Sequence, residues 1–458
     1  MSKSPGNKPN AHELGTERPG KLLIRYSLPA IIAMAAMSLY NIIDRIFIGQ
    51  GIGAYAISGL SLTLPLMNIT TAFGAMVGVG ASTLVSIRLG QHDRKGATQV
   101  LGNAVSLNLI LGILVTVVTL IFLDKILIIL GASNETLPYA KEFMRIILYG
   151  NVITHLFFGL NGVMRSSGYP RKAMYTTLIT VAANIILAPL FIFVFHWGIQ
   201  GAAWATVLSQ LVGTAVLIVH FSQIKSFLHF LPGYMKLKFS IVKEVISIGM
   251  SNFIMLISAS VVISIINISL YKYSGDFAIG AFGIINSISG LIFMIVIGFN
   301  QGMQPIVGYN FGAKKIPRLL RTFQLTVFAA TIVTCAGFLL AEIIPHTVSS
   351  AFTTDSQLTE LSTEGLRLCM LMFPIVGFQV VTSSFFQSIG KAKFSIFLAL
   401  TRQVLFFIPI LLILPHFWGL KGVWLSIPVS DFLSSLLSFI VLRWQVKKLK
   451  AEHLTTGN

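Results

Sequence analysis

The chain has 458 residues, of which 55% are hydrophobic and only 10% are charged. A soluble domain carries about 25% charged residues, so the composition excludes a water-soluble globular fold and predicts an integral membrane protein. Lys and Arg outnumber Asp and Glu by 33 to 15, which gives a formal charge of +18. Because the basic residues fall between apolar runs, we expect them to orient the protein in a membrane rather than to bind nucleic acid.

Apolar runs of about 20 residues are typical of transmembrane helices. The chain contains twelve such runs, and no loop between them is long enough to hold a soluble domain. We therefore predict an all-α integral membrane protein with twelve transmembrane helices. The predicted helices cover residues 24–48, 55–84, 98–123, 141–163, 173–195, 200–221, 245–271, 277–303, 322–344, 366–388, 394–415 and 420–442.

The first predicted helix contains an acidic residue, Asp44, near its end. A carboxylate within the membrane is costly and usually faces a protein interior or a wet cavity. A proton, a metal ion or an organic cation can neutralise it there, and these ligands would compete for one charge. We therefore predict that Asp44 couples protons or cations to transport. The alternative is that Asp44 pairs with Arg45 at the outer membrane surface.

Few other polar residues lie within the predicted helices. Any single Asn or Gln there is either an interhelical hydrogen-bonding group or part of a substrate site. Asp431, near the middle of the twelfth helix, either pairs with Arg402 or takes part in coupling. No His or acidic cluster has metal-ligand spacing and no nucleophile motif is present, so we predict neither an enzyme nor a bound metal or cofactor.

Basic residues are concentrated in alternate loops. The N-terminus and the segments after the even-numbered helices hold 25 of the 33 Lys and Arg residues. The positive-inside rule then places both termini in the cytoplasm, and the even number of helices agrees. We predict a multi-pass protein of the cell membrane with a flexible cytoplasmic N-terminus at residues 1–20 and a cytoplasmic tail at residues 443–458.

Four motifs recur at an offset of 221 or 222 residues. The matching pairs are 88–95 with 310–315, 142–145 with 364–367, 165–172 with 387–393, and 198–204 with 419–424. We predict two six-helix bundles, residues 21–221 and 245–442, joined by a cytoplasmic basic linker at residues 222–244. Because six is even, both bundles enter the membrane in the same direction and are related by a pseudo-two-fold axis along the membrane normal, which is a known transporter plan.

The chain resembles the multidrug and toxic compound extrusion (MATE) family, in its MepA-like bacterial branch. The resemblance covers residues 20–445, and its local matches lie at residues 41–49, 161–168, 184–189 and 301–313. It implies a MATE-type fold, in which a V-shaped pair of six-helix bundles opens alternately to each side of the membrane. It also implies export of cationic amphipathic drugs in exchange for protons or sodium ions.

The resemblance also implies roles for individual residues. The coupling residue would be Asp44, which is the acid that matches the family pattern, and the alternative is that Asp431 in the second bundle shares this role. A substrate site or polar network would include Asn41, Asn161, Asn184, Thr206 and Gln304. Ala188 stands where the family commonly has an Asp of its cation site, which weakens the case for sodium as the coupling ion. The expected partners are membrane lipid and cationic small-molecule drugs, without nucleic acid, and the protein is expected to be a monomer.

Two transporter functions fit this architecture. A flippase for lipids or lipid-linked oligosaccharides resembles it, but would need a cationic cavity for a pyrophosphate, and we expect Arg45 and Arg402 to be the few membrane-embedded bases. We therefore expect secondary active multidrug efflux by antiport with protons, less readily with sodium ions, and keep the flippase as the alternative.

Overall fold

The computed structural model of the chain describes residues 11–52, 54–224, 226–353 and 355–456. These residues are mostly helical and contain no strand. The α-helices are α1 (Pro19–Gly51), α2 (Ala54–Gly90), α3 (Arg94–Ile129), α4 (Leu137–Tyr149), α5 (Asn151–Ser166), α6 (Pro170–Pro189), α7 (Gly198–Ser222), α8 (Phe239–Gly312), α9 (Ile316–Ile343), α10 (Pro345–Ser350), α11 (Ser356–Met370), α12 (Phe373–Ser388), α13 (Ala392–Leu400) and α14 (Phe407–Thr456). Short 3₁₀ and π-helical segments lie at Ala11–Gly15, Leu190–Val194, Pro232–Tyr234 and Thr401–Phe406.

The described residues contain nine helical stretches that are long and apolar enough to cross a bilayer, and two bent helix pairs each qualify as a further span. One stretch, Ala392–Ala451, has 60 residues. Its length would be roughly 90 Å as a continuous helix, against a hydrocarbon core of about 30 Å. It is broken at Gly419, where φ is 53°, so it forms two spans. The described chain therefore has twelve spans, as the apolar runs predict.

The two bent pairs occupy equivalent places in the two halves of the chain. α4 meets α5 at an angle of 53°, and α11 meets α12 at 54°. The predicted repeat also appears in the backbone of its turns. Gly168 and its counterpart Gly390 both have positive φ, at 100° and 73°. Gly198 and Gly419 likewise share φ values of 56° and 53°, which glycine adopts without the steric cost other residues meet.

The helices divide into two compact units. Unit 1 comprises Met1–Arg18, Ile32–Phe253 and Gly308–Ala313, and unit 2 comprises the remaining parts of the chain. The first part of α1 therefore packs in unit 2, and the first part of α8 packs in unit 1. The predicted bundle limits, 21–221 and 245–442, stay a prediction beside this division.

Each unit has an apolar core of its own. In unit 2 the core surrounds Trp424, which is fully buried and stacks with Phe282. In unit 1 one core cluster includes Ile48, Ala188 and Phe191 and joins α1, α6 and α7 near Asp44. These clusters fix the rotation of each helix, because a close-packed interior leaves few alternative arrangements.

The N-terminal segment predicted to be flexible is partly helical where the structure describes it. Of the predicted flexible N-terminus, residues 1–10 lie outside the described residues, whereas Ala11–Gly15 forms a 3₁₀ helix. Leu14 in this helix is fully buried, and its carbonyl oxygen accepts a hydrogen bond from Asn310 Nδ2 at 2.9 Å. Burial of this apolar side chain explains why residues 11–15 differ from the prediction of flexibility.

Candidate functional site

A polar cluster joins three helices of unit 1. The Thr206 hydroxyl on α7 donates to the Ala202 carbonyl oxygen at 3.1 Å. The same hydroxyl oxygen accepts from Asn184 Nδ2 on α6 at 3.4 Å and lies 3.2 Å from the Tyr40 hydroxyl on α1. Because the hydrogen of Thr206 is already used, its oxygen is the acceptor for both neighbours. The cluster therefore ties α1 and α6 to α7.

Asp44 lies one helical turn after Tyr40 on α1, so the two side chains share a face of the helix. Asp44 is 8% exposed, and its buried Oδ1 atom has no hydrogen-bond partner among the described residues. The adjacent Arg45 is exposed and forms no ion pair with Asp44 in this part of the chain. A buried carboxylate without a partner is costly as an anion, which favours neutralisation by a proton or a bound cation.

A cavity of about 40 Å³ lies inside unit 1 beside the polar cluster. Its wall includes Tyr40, Phe157, Phe158, Thr177, Asn184 and Gln210. A drug-sized ligand needs a pocket of about 300 Å³ or more, whereas one water-sized probe needs about 10–15 Å³. In the conformation described, the cavity therefore has room for water or a small ion but not for a drug.

Asn161 makes hydrogen bonds to residues other than those of the Thr206 cluster. Its Nδ2 donates to the Ala173 carbonyl oxygen at 3.0 Å and to Thr177 Oγ1 at 3.5 Å. Its Oδ1 accepts from Arg165 Nη2 at 3.2 Å. Asn161 therefore joins α5 to α6, and Thr177 connects it to the cavity wall. Asn184 and Thr206 contact each other directly, but Asn161 contacts neither.

Two other positions highlighted by the family resemblance lie outside the polar cluster. Asn41 is exposed on α1, with no hydrogen bond to another described side chain. Ala188 is fully buried in the apolar core cluster with Ile48 and Phe191. The place of the expected second acid is thus filled by apolar packing. The residues that the structure describes also contain no group of three or more His, Cys, Asp or Glu side chains suited to a metal ion.

Unit 2 holds the second buried acid. Asp431 on α14 is 3% exposed, and its Oδ1 accepts from Arg402 Nε at 2.8 Å. Ser430 Oγ donates to the Arg402 carbonyl oxygen at 2.8 Å, and the guanidinium carbon lies 5.1 Å from the centre of the Phe293 ring. The predicted pairing is therefore present. One carboxylate oxygen, Oδ2, is buried without a hydrogen-bond partner among the described residues.

The remaining predicted residue, Gln304, lies half-buried on α8 within unit 2. It belongs to a different unit from Asp44 and is not part of the cluster around Thr206. The roles assigned to Gln304, Asp431 and the unit 1 residues remain predictions.

Of the cavity wall, only Asn184 was among the predicted site residues, and Tyr40 and Gln210 are two polar wall residues that the sequence could have indicated. Tyr40 carries the only described side-chain hydrogen bond from α1 to Thr206, and its spacing of four residues from Asp44 could have identified it. Gln210, the repeat counterpart of Asp431, accepts a hydrogen bond from the Thr154 hydroxyl. Its equivalence to a buried acid is the signal that could have identified it.

Comparison with known proteins gives a consistent result. The model of the MatE family matches residues 29–190 and 248–413, once in each half of the chain. The multidrug export protein MepA of Staphylococcus haemolyticus is 29% identical over 422 residues, which are 92% of this chain and 93% of that protein. A crystal structure of MATE in the bent conformation has a TM-score of 0.92 at 24% identity and covers 98% of this chain and 100% of its own. An outward-facing multidrug resistance MATE family transporter of the MOP superfamily has a TM-score of 0.91 at 25% identity, with coverage of 98% and 100%.

Proposed function

The chain belongs to the MatE family, and we propose that it exports cationic amphipathic compounds in exchange for protons, with Asp44 as the coupling residue. It is a multi-pass membrane transporter rather than an enzyme. The related staphylococcal proteins are named multidrug export proteins, and their similarity along most of both chains supports efflux of several drugs by this one.

The unpaired, buried carboxylate of Asp44 is the observation that carries this proposal. As an anion, Asp44 attracts an organic cation because its buried Oδ1 accepts no hydrogen bond from the described residues. Once a proton neutralises the carboxylate, that attraction is lost and the drug leaves. Exchange follows because proton and drug compete for one charge, and each ligand shifts the conformational equilibrium by its differential affinity for the two states.

The surroundings of Asp44 favour a proton over a sodium ion. A hard cation needs several oxygen ligands, and carboxylates are the strongest of these. Ala188 supplies a methyl group where a second carboxylate would stand, and the Thr206 oxygen already accepts hydrogen bonds from two neighbours. A proton needs only the one buried oxygen of Asp44.

The direction of transport follows from the predicted orientation. With both termini in the cytoplasm, the end of α1 that carries Asp44 lies towards the outside. A more acidic exterior would then load the proton there, and a more alkaline cytoplasm would remove it. We propose that the protein works in the cell membrane as a monomer, with drug and proton as its ligands and no resident cofactor.

The flippase alternative has less support. A pyrophosphate-linked lipid needs several unpaired basic groups in its cavity. Arg402 pairs with Asp431, and Arg45 is exposed on α1 rather than directed into the cavity of unit 1. The names of the related proteins likewise indicate drug export.

Uptake of an ethidium-like cationic dye into inverted membrane vesicles tests the proposed function, because the cytoplasmic face of an inverted vesicle is outside and export therefore fills the lumen. An imposed proton gradient should drive dye transport by the wild type, whereas a sodium gradient of equal size should not. Asp44→Asn is nearly isosteric, so it should reach the membrane in normal amounts and lose proton-driven transport. Asp431→Asn is the control, since its acid is paired, and dye transport is compared per amount of folded protein because loss of the partner of Arg402 lowers stability. Wild-type transport by Asp44→Asn, or transport driven by sodium alone, would overturn the proposal.

A further inference from the structure

A buried amide on α3 binds the backbone of the linker between α7 and α8 at three points. Asn103 on α3 is 2% exposed, and its Nδ2 donates to the carbonyl oxygens of Tyr234 and Lys236 at 3.1 and 3.3 Å. Its Oδ1 accepts from the backbone N–H of Lys238 at 2.7 Å. Three backbone groups of the linker are therefore fixed by one side chain, so this segment is a strap with a defined face rather than a loose connection.

Other contacts fix both ends of the strap, which we define as residues 226–239. Ser106 Oγ donates to the Met235 carbonyl oxygen at 2.6 Å. Arg94 Nε donates to the Phe227 carbonyl oxygen at 2.9 Å, and its guanidinium carbon lies 5.0 Å from the centre of the Phe227 ring. Leu228 is 1% exposed, so the first part of the strap packs its apolar side chains inward.

The second part of the strap presents apolar side chains outward. Phe239 is 82% exposed and Leu237 is 43% exposed. Leu231 and Met235 are also exposed. Four large apolar side chains within nine residues make a patch of a kind that soluble surfaces rarely show without a partner. Because the backbone of this part is bound to Asn103, the patch cannot simply turn inward.

The position and charge of the patch indicate its partner. The strap begins four residues after α7 ends at Ser222 and runs into the start of α8, and both helices are membrane spans. It therefore lies at the membrane surface. Lys236 and Lys243 are exposed beside the apolar residues, and Lys243 lies one helical turn from Phe239. Apolar side chains flanked by lysines match the acyl boundary and the anionic headgroups of one leaflet.

We propose that residues 231–239 form an interfacial anchor that binds anionic phospholipid, with the four apolar side chains below the headgroups and Lys236 and Lys243 at the phosphates. The anchor holds the start of α8 and, through Asn103, α3 at a fixed depth in the membrane. It depends on the membrane-spanning fold and is independent of Asp44 and of the identity of the drug.

Fluorescence from a label on the strap measures how deeply the strap lies in the membrane. An environment-sensitive fluorophore is attached through Leu237→Cys in a full-length chain whose Cys335 and Cys369 are replaced by Ala. In vesicles of phosphatidylcholine and phosphatidylglycerol, its emission should shift to the blue and be quenched by lipids with a spin label near the headgroup. The control is Gln91→Cys, an exposed polar position in the turn between α2 and α3, which should give the emission of a water-exposed label.

Substitution of the lysines tests the preference for anionic lipid. Quenching by spin-labelled phosphatidylglycerol relative to phosphatidylcholine should fall about fivefold for each of Lys236→Gln and Lys243→Gln, since a lysine near the surface contributes about that factor. Lys125→Gln, exposed at the other end of α3, should change nothing. Equal emission and quenching at positions 237 and 91 would overturn the proposal. So would a blue shift that appears only at high protein density, because the patch would then be covered by another copy of the chain.

Discussion

Asp44 and Asp431 are both buried acids in membrane helices, but their surroundings differ. Asp44 has a buried oxygen without a partner and an exposed Arg45 beside it in the sequence, whereas Asp431 accepts a hydrogen bond from Arg402 at 2.8 Å. In the conformation described, Arg402 compensates the charge of Asp431, whereas the buried Oδ1 of Asp44 has no such partner among the described residues. This difference is the reason for assigning coupling to Asp44.

Removing one partner of the Arg402–Asp431 pair should destabilise the fold. Removing one member of a buried ion pair costs about 3–5 kcal/mol, because it leaves a buried charge uncompensated. Arg402→Met should therefore lower the midpoint of thermal unfolding in detergent. The double variant Arg402→Met/Asp431→Asn should recover most of that loss. If the double variant were less stable than Arg402→Met alone, the pair would not explain the stability of this region.

Ala188 allows a direct test of the preference for protons. Ala188→Asp places a carboxylate in the apolar cluster of Ile48 and Phe191, where an unpaired charge is costly. At alkaline pH this variant should unfold at a lower temperature than Ala188→Asn, which adds similar volume without charge. The difference in unfolding temperature between the two variants should decrease on acidification, since protonation removes the charge of the added carboxylate. Sodium should not restore the stability of Ala188→Asp, and a sodium-specific recovery would point to a cation site beside Asp44.

At the scale of helices, two glycine crossings repeat in the two units. Gly80 on α2 lies so close to the start of α8 that a Cβ atom there would overlap the Val245 carbonyl oxygen. Gly302, which follows Gly80 by the repeat offset, lies against the backbone of Ser27 on α1. Small residues at such crossings let membrane helices approach closely, so the repeat preserves the packing as well as the sequence.

Added methyl groups at these crossings should be destabilising. Gly80→Ala and Gly302→Ala would each force the facing backbone to move, and overpacking of this kind costs about 1–3 kcal/mol. Gly290→Ala is the control, because nothing lies within 4 Å of a Cβ atom built there. It should be neutral or slightly stabilising, since alanine is the better helix former. Thermal unfolding in detergent measures the stability of the three variants. Equal unfolding midpoints for all three would contradict the packing described.

The sequence predicted the number of helices better than their internal breaks. The twelve apolar runs correspond to twelve spans, because the hydropathy of a segment depends only on its own residues. The bends between α4 and α5 and between α11 and α12 were not predicted, because a bent apolar run has the same composition as a straight one. Likewise, Asn184 could be placed in a membrane helix, but α6 is evenly apolar and gives no signal of which face turns inward. Tyr40 and Gln210 had signals in the sequence, but their hydrogen bonds to Thr206 and Thr154 follow only from the packing of the helices.

At the scale of the whole chain, the distribution of basic residues predicts orientation. A fluorescent protein that matures only in the cytoplasm should be bright when fused after Asn458. A matched fusion within the turn that contains Ser133, between α3 and α4, should stay dark because that turn lies on the opposite side. The expected result follows from the 25 basic residues in the alternate loops. A dark fusion after Asn458 together with a bright one at Ser133 would reverse the topology.

Drug-induced proton release from the purified protein tests the proposed exchange most directly. A cationic drug added to the wild type in weakly buffered detergent solution, at a pH where Asp44 is partly protonated, should displace protons from that one carboxylate. Asp44→Asn should bind the drug more weakly and release no proton, whereas Asp431→Asn should release protons as the wild type does. Proton release that persists in Asp44→Asn and disappears in Asp431→Asn would contradict the account and move the coupling site to unit 2.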